Sequence, residues 1–264
     1  MFEAWQLNHL SKLDQLHRKR VIRAVKFGIP FELALGYAKW ESVVFKVSPL
    51  TLIPRPTTED LGYLTALILS ETKPSAKKFF YLIDVGCGTG FFAATIAFHL
   101  KRIGKPIPSI LLVDVVEASL KLCKENLSFI DKKHLILADA NRLPIKQEIL
   151  ENSVIVTNPP YLDKDQIRAN LLWENVKALE ADLPLIRKIL SYNTVMTVLE
   201  TNTAWSLTKH KGLVLESPHL YKFFVKYDPK SVIGYLLTSN QHIASTVIFL
   251  SKNGKTQPLY LEQV

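Results

Sequence analysis

The stretch DVGCGTG at residues 84–90 decides how this chain of 264 residues folds. It follows an almost continuous apolar run at 79–85, which is typical of a buried parallel strand, and it precedes a helical pattern of apolar residues at 91–103. Glycines at such a turn permit tight backbone conformations and allow a ligand to approach the main chain closely. A simple strand-to-helix connection would use glycines as well, so the turn alone does not establish a binding site.

Strands and helices alternate on both sides of this turn. The apolar pattern predicts helices at 58–71 and 118–129 and further strands at 110–113, 135–137, 154–157, 195–199, 223–227 and 243–250. This alternation predicts an α/β fold, a doubly wound sheet in which most strands are parallel and helices cover both faces.

Acidic residues lie close to the ends of three predicted strands. The glycine spacing G-x-G-x-G, with Asp84 two positions earlier, differs from the G-x-G-x-x-G of dinucleotide sites and suits an adenosyl group with an amino-acid tail better than a pyrophosphate. Asp114 ends the second strand, where a carboxylate can accept from both hydroxyl groups of a ribose. Asp139 follows the third strand, where it can accept from the amine of adenine. Either of these two could be an ordinary loop acid, but ligands of such sheets bind at the carboxyl ends of the strands.

The tetrapeptide NPPY at 158–161 directly follows the fourth strand. Its two prolines fix the backbone, and Asn158 offers both a carbonyl acceptor and an amide donor. The side-chain oxygen of Asn158 and the carbonyl of Pro159 can accept the two hydrogens of a planar NH2 group, on which the ring of Tyr161 can stack. We therefore predict that Asn158, Pro159, Pro160 and Tyr161 hold a planar nitrogen for reaction without a strong base. The tetrapeptide does not distinguish an adenine amine from a glutamine amide.

Residues 84–90, together with 114–126, resemble the first motifs of Rossmann-like methyltransferases that use S-adenosylmethionine. This resemblance implies a seven-stranded, mostly parallel sheet that ends in an antiparallel hairpin. It also implies the residues that bind the cofactor, with Ala140 beside the adenine: Asp84, Gly86, Cys87, Gly88, Thr89, Gly90, Asp114, Asp139, Ala140 and Asn158.

An upstream segment narrows the resemblance to one family. LIPRPTTE at 52–59 resembles the LIPRPETE signature of the HemK/PrmC family of peptide-chain release factor glutamine methyltransferases, and the segments at 30–40 and 173–179 resemble two other motifs of that family. The family implies methyl transfer to the side-chain amide of the glutamine in the Gly-Gly-Gln loop of a release factor. Arg55 in the signature could contact that substrate or anchor the segment through a salt bridge.

The resemblance also implies how the chain is divided. It predicts an abbreviated N-terminal helical region at 1–41, which would grip the release factor, and a catalytic domain at 57–264. Between them we expect a linking β-hairpin at 42–56, with its strands at 42–47 and 51–53.

The overall charge leaves two alternatives open. The chain carries 33 Lys and Arg against 24 Asp and Glu, a net charge of +9, and the excess lies at 1–30 and 205–264. Such a charge is compatible with an adenine amino-methyltransferase that acts on DNA or RNA. A scaffold that has lost its activity would keep the same fold, but the intact glycines and tetrapeptide favour an enzyme.

The composition excludes several other classes of protein. Two cysteines, Cys87 and Cys123, cannot form a disulfide framework or a cysteine-based zinc site. No apolar run reaches the roughly 20 residues of a membrane span, and the N-terminal charges are interleaved with apolar residues, unlike those of a signal peptide. We therefore expect a metal-free monomer that is not secreted, does not contact membranes and does not require nucleic acid. A mitochondrial location is slightly favoured over a cytoplasmic one.

Overall fold

A computed structural model describes residues 2–40, 43–71, 81–160, 182–194, 196–201, 220–224, 233–238, 248–252, 255–259 and 261–263. The predicted alternation of strands and helices is confirmed in these residues. Most of the predicted elements are present with their ends shifted by a few residues.

Three helices form the N-terminal region: α1 (Ala4–Lys12), α2 (Gln15–Lys26) and α3 (Phe31–Leu35). The Asp14 carboxylate begins α2, because its Oδ1 accepts from the amides of the second and third residues that follow, at 2.9 and 3.0 Å. The helices enclose a small apolar cluster of their own around Leu10, Val21 and Phe31. Helices were predicted for this segment, and that prediction is confirmed.

The hairpin lies earlier in the chain than predicted. Strand β1 (Tyr37–Trp40) pairs antiparallel with β2 (Val43–Lys46), so the predicted pairing of 42–47 with 51–53 is wrong. Gly36 ends α3 with a left-handed φ of +85°, which lets the chain reverse at once into β1. The amide of Val47 then donates to the Gly36 carbonyl at 3.1 Å, which closes the open end of the hairpin.

The hairpin is tied to the glycine-rich turn by one side chain. The Nδ2 of buried Asn126 donates to the carbonyls of Lys46 and Thr89, at 3.0 and 2.9 Å. Its Oδ1 accepts from the amide of Lys46 at 2.8 Å. The hairpin and the turn therefore share a fully bonded carboxamide.

A mixed sheet forms the centre of the catalytic part. Its five parallel strands are β3 (Tyr81–Val85), β4 (Ser109–Asp114), β5 (Lys133–Leu137), β6 (Ser153–Thr157) and β7 (Met196–Thr201). Three strands extend it antiparallel: β8 (Leu220–Phe224), β9 (Ile233–Thr238) and β12 (Leu261–Gln263). The order is β12-β8-β9-β7-β6-β3-β4-β5.

The α/β fold class is therefore confirmed, but the predicted number of seven strands is not, because eight described strands share the sheet. The sequence pattern missed β9, which lies between β7 and β8. The strand predicted at 243–250 overlaps β10 (Ile248–Lys252), and β10 pairs with β11 (Lys255–Leu259) in a separate two-stranded sheet.

Helices cover both faces of the sheet, as a doubly wound fold requires. Leu82 of β3 and Ile110 of β4 pack with α4 (Pro56–Glu71) and α5 (Phe91–Arg102), whereas Ile83 and Ile155 pack on the opposite face with α8 (Leu183–Leu190). Two further helices complete this part of the chain. Helix α6 (Glu117–Asn126) follows β4, and helix α7 (Gln147–Leu150) precedes β6. No helix within the described residues combines the length and apolarity of a membrane span.

Helix α4 approaches α5 unusually closely. It begins at Pro56, two residues before the predicted start, where proline suits the first helical position. A Cβ atom on Gly62 would overlap the side chain of Thr95 on α5. Gly62 therefore sets the distance between the two helices.

Candidate active site

A cavity of about 420 Å³ opens where the parallel strands end. This volume lies within the range of small-molecule sites. Most of the residues predicted for the cofactor and the reaction line it, and they come from the ends of four strands: Asp84, Gly86, Cys87, Gly88, Thr89, Asp114, Asp139, Ala140, Asn158, Pro159 and Pro160. Arg55 and Thr58, which follow the hairpin, also line the cavity, whereas Tyr161 lies outside the described residues.

The glycine-rich turn is held mainly by backbone hydrogen bonds. The amides of Gly86 and Cys87 both donate to the Val113 carbonyl, at 2.8 and 3.0 Å. All three glycines have positive φ, between +51° and +78°, which other residues rarely adopt. The turn therefore exposes main chain to the cavity without side chains in the way.

Gly90, which was also predicted to bind the cofactor, lies at the packing contact behind the turn. It does not line the cavity but begins α5 against α6. A Cβ atom here would lie 2.5 Å from Cys123 Sγ and 2.6 Å from Leu127 Cδ1. Gly90 thus permits the start of α5 to pack closely against Cys123 and Leu127.

Asp114 connects the turn to the end of β4. Its Oδ2 accepts from the Gly88 amide and its Oδ1 from the Val116 amide, both at 2.9 Å. Burial raises the pKa of this carboxyl group, although the two amide hydrogen bonds act in the opposite direction. A carboxylate has about four acceptor positions, so both oxygens can still accept from a ligand in the cavity.

Asp84 lies deepest of the acidic residues, with 1% of its surface exposed. Its Oδ2 accepts from the amide of Ala93, in the first turn of α5, at 3.1 Å. Burial raises its pKa to about 7, the neighbouring charge of Asp114 adds to the rise, and the amide bond opposes it. A cationic ligand group near Asp84 would therefore find a carboxyl group that ionises close to neutral pH.

Asp139 and Ala140 lie at the edge of the cavity. The exposed carboxylate of Asp139 accepts at Oδ1 from the backbone amide of Asn141 at 2.8 Å and from its Nδ2 at 3.0 Å. The hydroxyl of Tyr192 donates to the Ala140 carbonyl at 2.8 Å and accepts from the Leu143 amide at 3.3 Å. Tyr192, which no sequence pattern identified, thus fixes this edge.

Asn158 combines with two residues that the sequence did not identify as site residues. Its Nδ2 donates to Thr58 Oγ1 at 3.5 Å, and Thr58 Oγ1 donates to Oε2 of buried Glu200 at 2.6 Å. The Oδ1 of Asn158 is buried and has no hydrogen-bond partner among the described residues. The sequence offered one weak signal, since Glu200 lies near the end of β7 much as Asp114 ends β4.

A buried amide oxygen without a partner costs roughly 1–3 kcal/mol. Asn158 Oδ1 therefore marks a position where a donor from a ligand would be stabilising. The carboxylates at the ends of β3 and β4 and the carboxylate after β5 line the same cavity. The three carboxylates can hold a polar molecule, and Asn158 Oδ1 can accept from an N–H group of a second one.

Comparisons with known proteins agree with this arrangement. Residues 59–185 match the family model described as Methyltransferase small domain. The chain is 31% identical over 173 residues to the release factor glutamine methyltransferase of Flavobacterium psychrophilum, covering 62% of this chain and 55% of that protein. It is also 31% identical over 189 residues to the protein of the same name from Aliivibrio fischeri, covering 69% of this chain and 62% of that protein. The chain thus spans less than two thirds of the length of these relatives.

Solved structures share the fold at low sequence identity. The hMettl16 catalytic domain in complex with MAT2A 3'UTR hairpin 6 has a TM-score of 0.54 at 10% identity, covering 86% of this chain and 81% of that chain. The structure titled human methyltransferase 10 domain containing protein has a TM-score of 0.50 at 12% identity, with coverages of 85% and 97%. These structures confirm the fold alone, whereas the family match and the two relatives confirm the expectation of an S-adenosylmethionine-dependent methyltransferase domain.

Proposed function

We propose that this protein, a relative of the release factor glutamine methyltransferases that carries a methyltransferase small domain, transfers a methyl group from S-adenosylmethionine to the side-chain amide nitrogen of a release-factor glutamine. One observation carries the proposal. Asn158 lines the cavity beside Pro159 and Pro160, and its buried Oδ1 has no hydrogen-bond partner among the described residues. It is an acceptor prepared for the N–H of a planar amide.

The cavity residues fit the proposed cofactor. When bound, S-adenosylmethionine supplies an electrophilic methyl group on a cationic sulfur. Asp84, which lines the cavity at the glycine-rich turn, would lie near its positively charged amino-acid end, where a cation would stabilise the ionised carboxylate. Asp114 would accept from the ribose hydroxyls with its remaining lone pairs, and Asp139 and Ala140 would border the adenine.

The chain activates the acceptor by position rather than by a base. An amide nitrogen is a poor nucleophile because its lone pair is delocalised. The Oδ1 of Asn158 and the carbonyl of Pro159 would accept its two hydrogens and hold it in line with the methyl group. The nitrogen would accept the methyl group that S-adenosylmethionine supplies as that group leaves the sulfur, and one N–H proton would then leave to water. Positioning of this kind can supply up to roughly 7–11 kcal/mol of the barrier.

The release factor is proposed as the partner because of the relatives' names and the hairpin signature. The glutamine would be that of the Gly-Gly-Gln loop, and Tyr161 would stack on its amide plane. The N-terminal region offers a surface for such a partner, since Phe27 is 70% and Leu16 is 59% exposed. The domain division, the monomeric state and the mitochondrial location stay predictions.

A second candidate, an adenine amino-methyltransferase acting on DNA or RNA, is favoured by the net charge of +9 and by the NPPY tetrapeptide. Helix α2 adds to this charge, because its exposed side chains include Lys19, Arg20, Arg23 and Lys26 and no acidic residue. Binding to nucleic acid by such a surface would weaken steeply with salt.

One assay distinguishes the two candidates. The purified chain is incubated with radiolabelled S-adenosylmethionine and, in separate reactions, a release factor with Gly-Gly-Gln, the same factor with Gly-Gly-Ala, duplex DNA and single-stranded RNA. We expect label only in the Gly-Gly-Gln factor, and mass spectrometry should locate it on the glutamine side chain. Equal labelling of both factors, or labelling of nucleic acid alone at physiological salt, would refute the proposal.

A further inference from the structure

Three side chains from three different elements meet behind the proposed amide site. Asn158 follows β6, Thr58 lies in the first turns of α4, and Glu200 lies on β7. The Thr58 hydroxyl donates to Glu200 Oε2 at 2.6 Å and accepts from Asn158 Nδ2 at 3.5 Å. Thr58 and Glu200 are 5% and 1% exposed, so water competes little for these bonds.

The direction of the hydrogen bonds follows from simple counting. A hydroxyl has one proton to donate, and that of Thr58 is donated to Glu200 Oε2. Because Thr58 gives its proton to Glu200, it can only accept from Asn158. The Asn158 carboxamide therefore turns its NH2 group toward Thr58 and its Oδ1 away from Thr58, where no described residue donates to it.

The opposite orientation of the same amide would be unproductive. An asparagine flipped by 180° would place Nδ2 at the present position of Oδ1, and a donor there would face the N–H of the acceptor amide. The two orientations have nearly the same shape, so packing alone does not select between them. The Thr58 hydroxyl does select between them, because it can only accept from Asn158 and therefore favours the orientation that places Nδ2 beside it.

We propose that Thr58 and Glu200 are positioning residues that fix the orientation of the Asn158 carboxamide, so that its Oδ1 is the group presented to the amide substrate. This inference rests on the proposed function for its kinetic consequence. The orientation of Asn158 itself is a property of the free protein and can be measured without any substrate.

The chain offers matched variants for the test. Thr58→Val removes the hydroxyl and keeps the shape, and Thr58→Ser restores the hydroxyl. Thr65→Val is the control, because Thr65 lies on the same helix, is fully buried and donates to the Leu61 carbonyl at 2.7 Å, away from Asn158. Glu200→Gln keeps the shape of the acceptor but adds a donor, which allows the Thr58 hydroxyl to point either way.

The first measurement is hydrogen exchange of the Asn158 side-chain NH2 in 15N spectra of the full chain, with the signal assigned by its loss in Asn158→Ala. We expect Thr58→Val to accelerate this exchange about tenfold or more, because a protecting hydrogen bond is lost. Thr58→Ser should restore the wild-type rate, and Thr65→Val should leave it unchanged. An unchanged rate in Thr58→Val, or an equal acceleration in Thr65→Val, would overturn the proposal.

The second measurement is methyl transfer to a release factor at saturating S-adenosylmethionine. Thr58→Val should lower kcat about 10-fold to 100-fold, since misplacement of a reacting group has effects of this size, and Thr58→Ser should recover most of it. A change confined to the dissociation constant of S-adenosylmethionine, with kcat intact, would mean that Thr58 serves the cofactor and not Asn158. If Thr58→Val does not fold, Glu200→Gln must show a smaller change in the same direction in both measurements.

The two proposals fail in different ways. If the wild-type chain does not methylate a release factor, the proposed function is wrong, while the exchange rates still decide whether Thr58 holds Asn158. If methylation proceeds and the Thr58 variants match the wild type in exchange and in kcat, the positioning role is wrong and the proposed function stands.

Discussion

Two turns at the same edge of the sheet prepare their polar groups in opposite ways. One follows β3 and the other follows β6, and these strands are hydrogen-bonded neighbours in which Val85 pairs with Thr157. At the glycine-rich turn, Asp84 and Asp114 already accept backbone amides. At the second turn, Asn158 Oδ1 accepts from none of the described residues. The groups proposed to bind the cofactor are thus hydrogen-bonded in the free protein, whereas the group proposed to hold the amide has no partner among the described residues.

The largest effect should come from Asn158→Ala, which removes the unpartnered oxygen. We expect kcat for methyl transfer to fall about 100-fold to 1000-fold, as when one preorganised polar group is removed from an active site. The dissociation constant of S-adenosylmethionine, measured by calorimetry, should change little. Asn193→Ala is the matched control, because this exposed side chain donates to Glu151 and neither residue lines the cavity. A loss of cofactor affinity as large as the loss of kcat would erase the contrast between the two turns.

The next effect tests whether the glycine-rich turn depends on packing. Gly90→Ala adds a Cβ against Cys123 and Leu127 at a φ of +78°, so we expect a loss of about 2–5 kcal/mol in the free energy of unfolding. Gly104→Ala has a similar φ of +71° but no atom within 4 Å, and should cost only about 1–2 kcal/mol. Urea unfolding measures both. Equal losses would show that backbone conformation alone, without the close contact, makes Gly90 necessary.

The pH dependence of cofactor binding tests whether Asp84 lies near the cationic end of S-adenosylmethionine. Its pKa of about 7 in the free protein should fall when a cationic group binds nearby, so binding releases a proton. Affinity for S-adenosylmethionine should therefore rise with pH below about 7, by up to about tenfold per unit, and level off above it. Calorimetry from pH 5.5 to 8.5 measures this, and Asp84→Asn should flatten the profile. A wild-type affinity that is independent of pH would place the cation elsewhere.

The same residue makes a prediction for stability without any ligand. Because the folded pKa of Asp84 lies above its usual value of 3.8, the folded protein binds the proton more tightly than the unfolded chain does. The contribution of Asp84 to stability is therefore present at low pH and lost as pH rises from about 4 to about 7. Asp84→Asn should lose this decline, which unfolding in urea at several pH values can measure. The raised pKa of Asp114 adds a decline of the same sign that the variant retains.

The smallest effect concerns the exposed edge of the cavity. Asp139→Ala should weaken S-adenosylmethionine binding only about 2-fold to 10-fold, since a single solvent-exposed hydrogen bond contributes about 0.5–1.5 kcal/mol. Asp131→Ala, another exposed acid just before β5, should leave the affinity unchanged. If Asp139→Ala weakened binding as strongly as Asp114→Ala, exposed Asp139 and buried Asp114 would contribute equally to affinity, contrary to this prediction.

The sequence predicted those parts of the molecule that local pattern determines. Asp84, Asp114 and the glycines were found because each directly ends or follows an apolar strand, and parallel strands bring their ends together. The bond between Thr58 and Glu200 spans 142 residues, and no periodicity indicates such a pairing. The hairpin was misplaced because Gly36 reverses the chain immediately, which a strand pattern at 42–47 cannot show. The predicted number of strands was also not confirmed, because β9 pairs between β7 and β8 and such pairing between separate segments cannot be read from a local pattern.

The hydrogen bonds of Asn126 have a consequence for where the chain can be shortened. A truncated chain starting at 57, the predicted boundary, would lack Lys46. Of the three hydrogen bonds of the Asn126 carboxamide described above, only the one to the Thr89 carbonyl would remain. Each buried polar group left without a partner costs about 1–3 kcal/mol. A truncated chain starting at Tyr37 would keep the hairpin and all three bonds. The smallest independently stable catalytic fragment should therefore begin with the hairpin, and proteolysis of the intact protein should stop there.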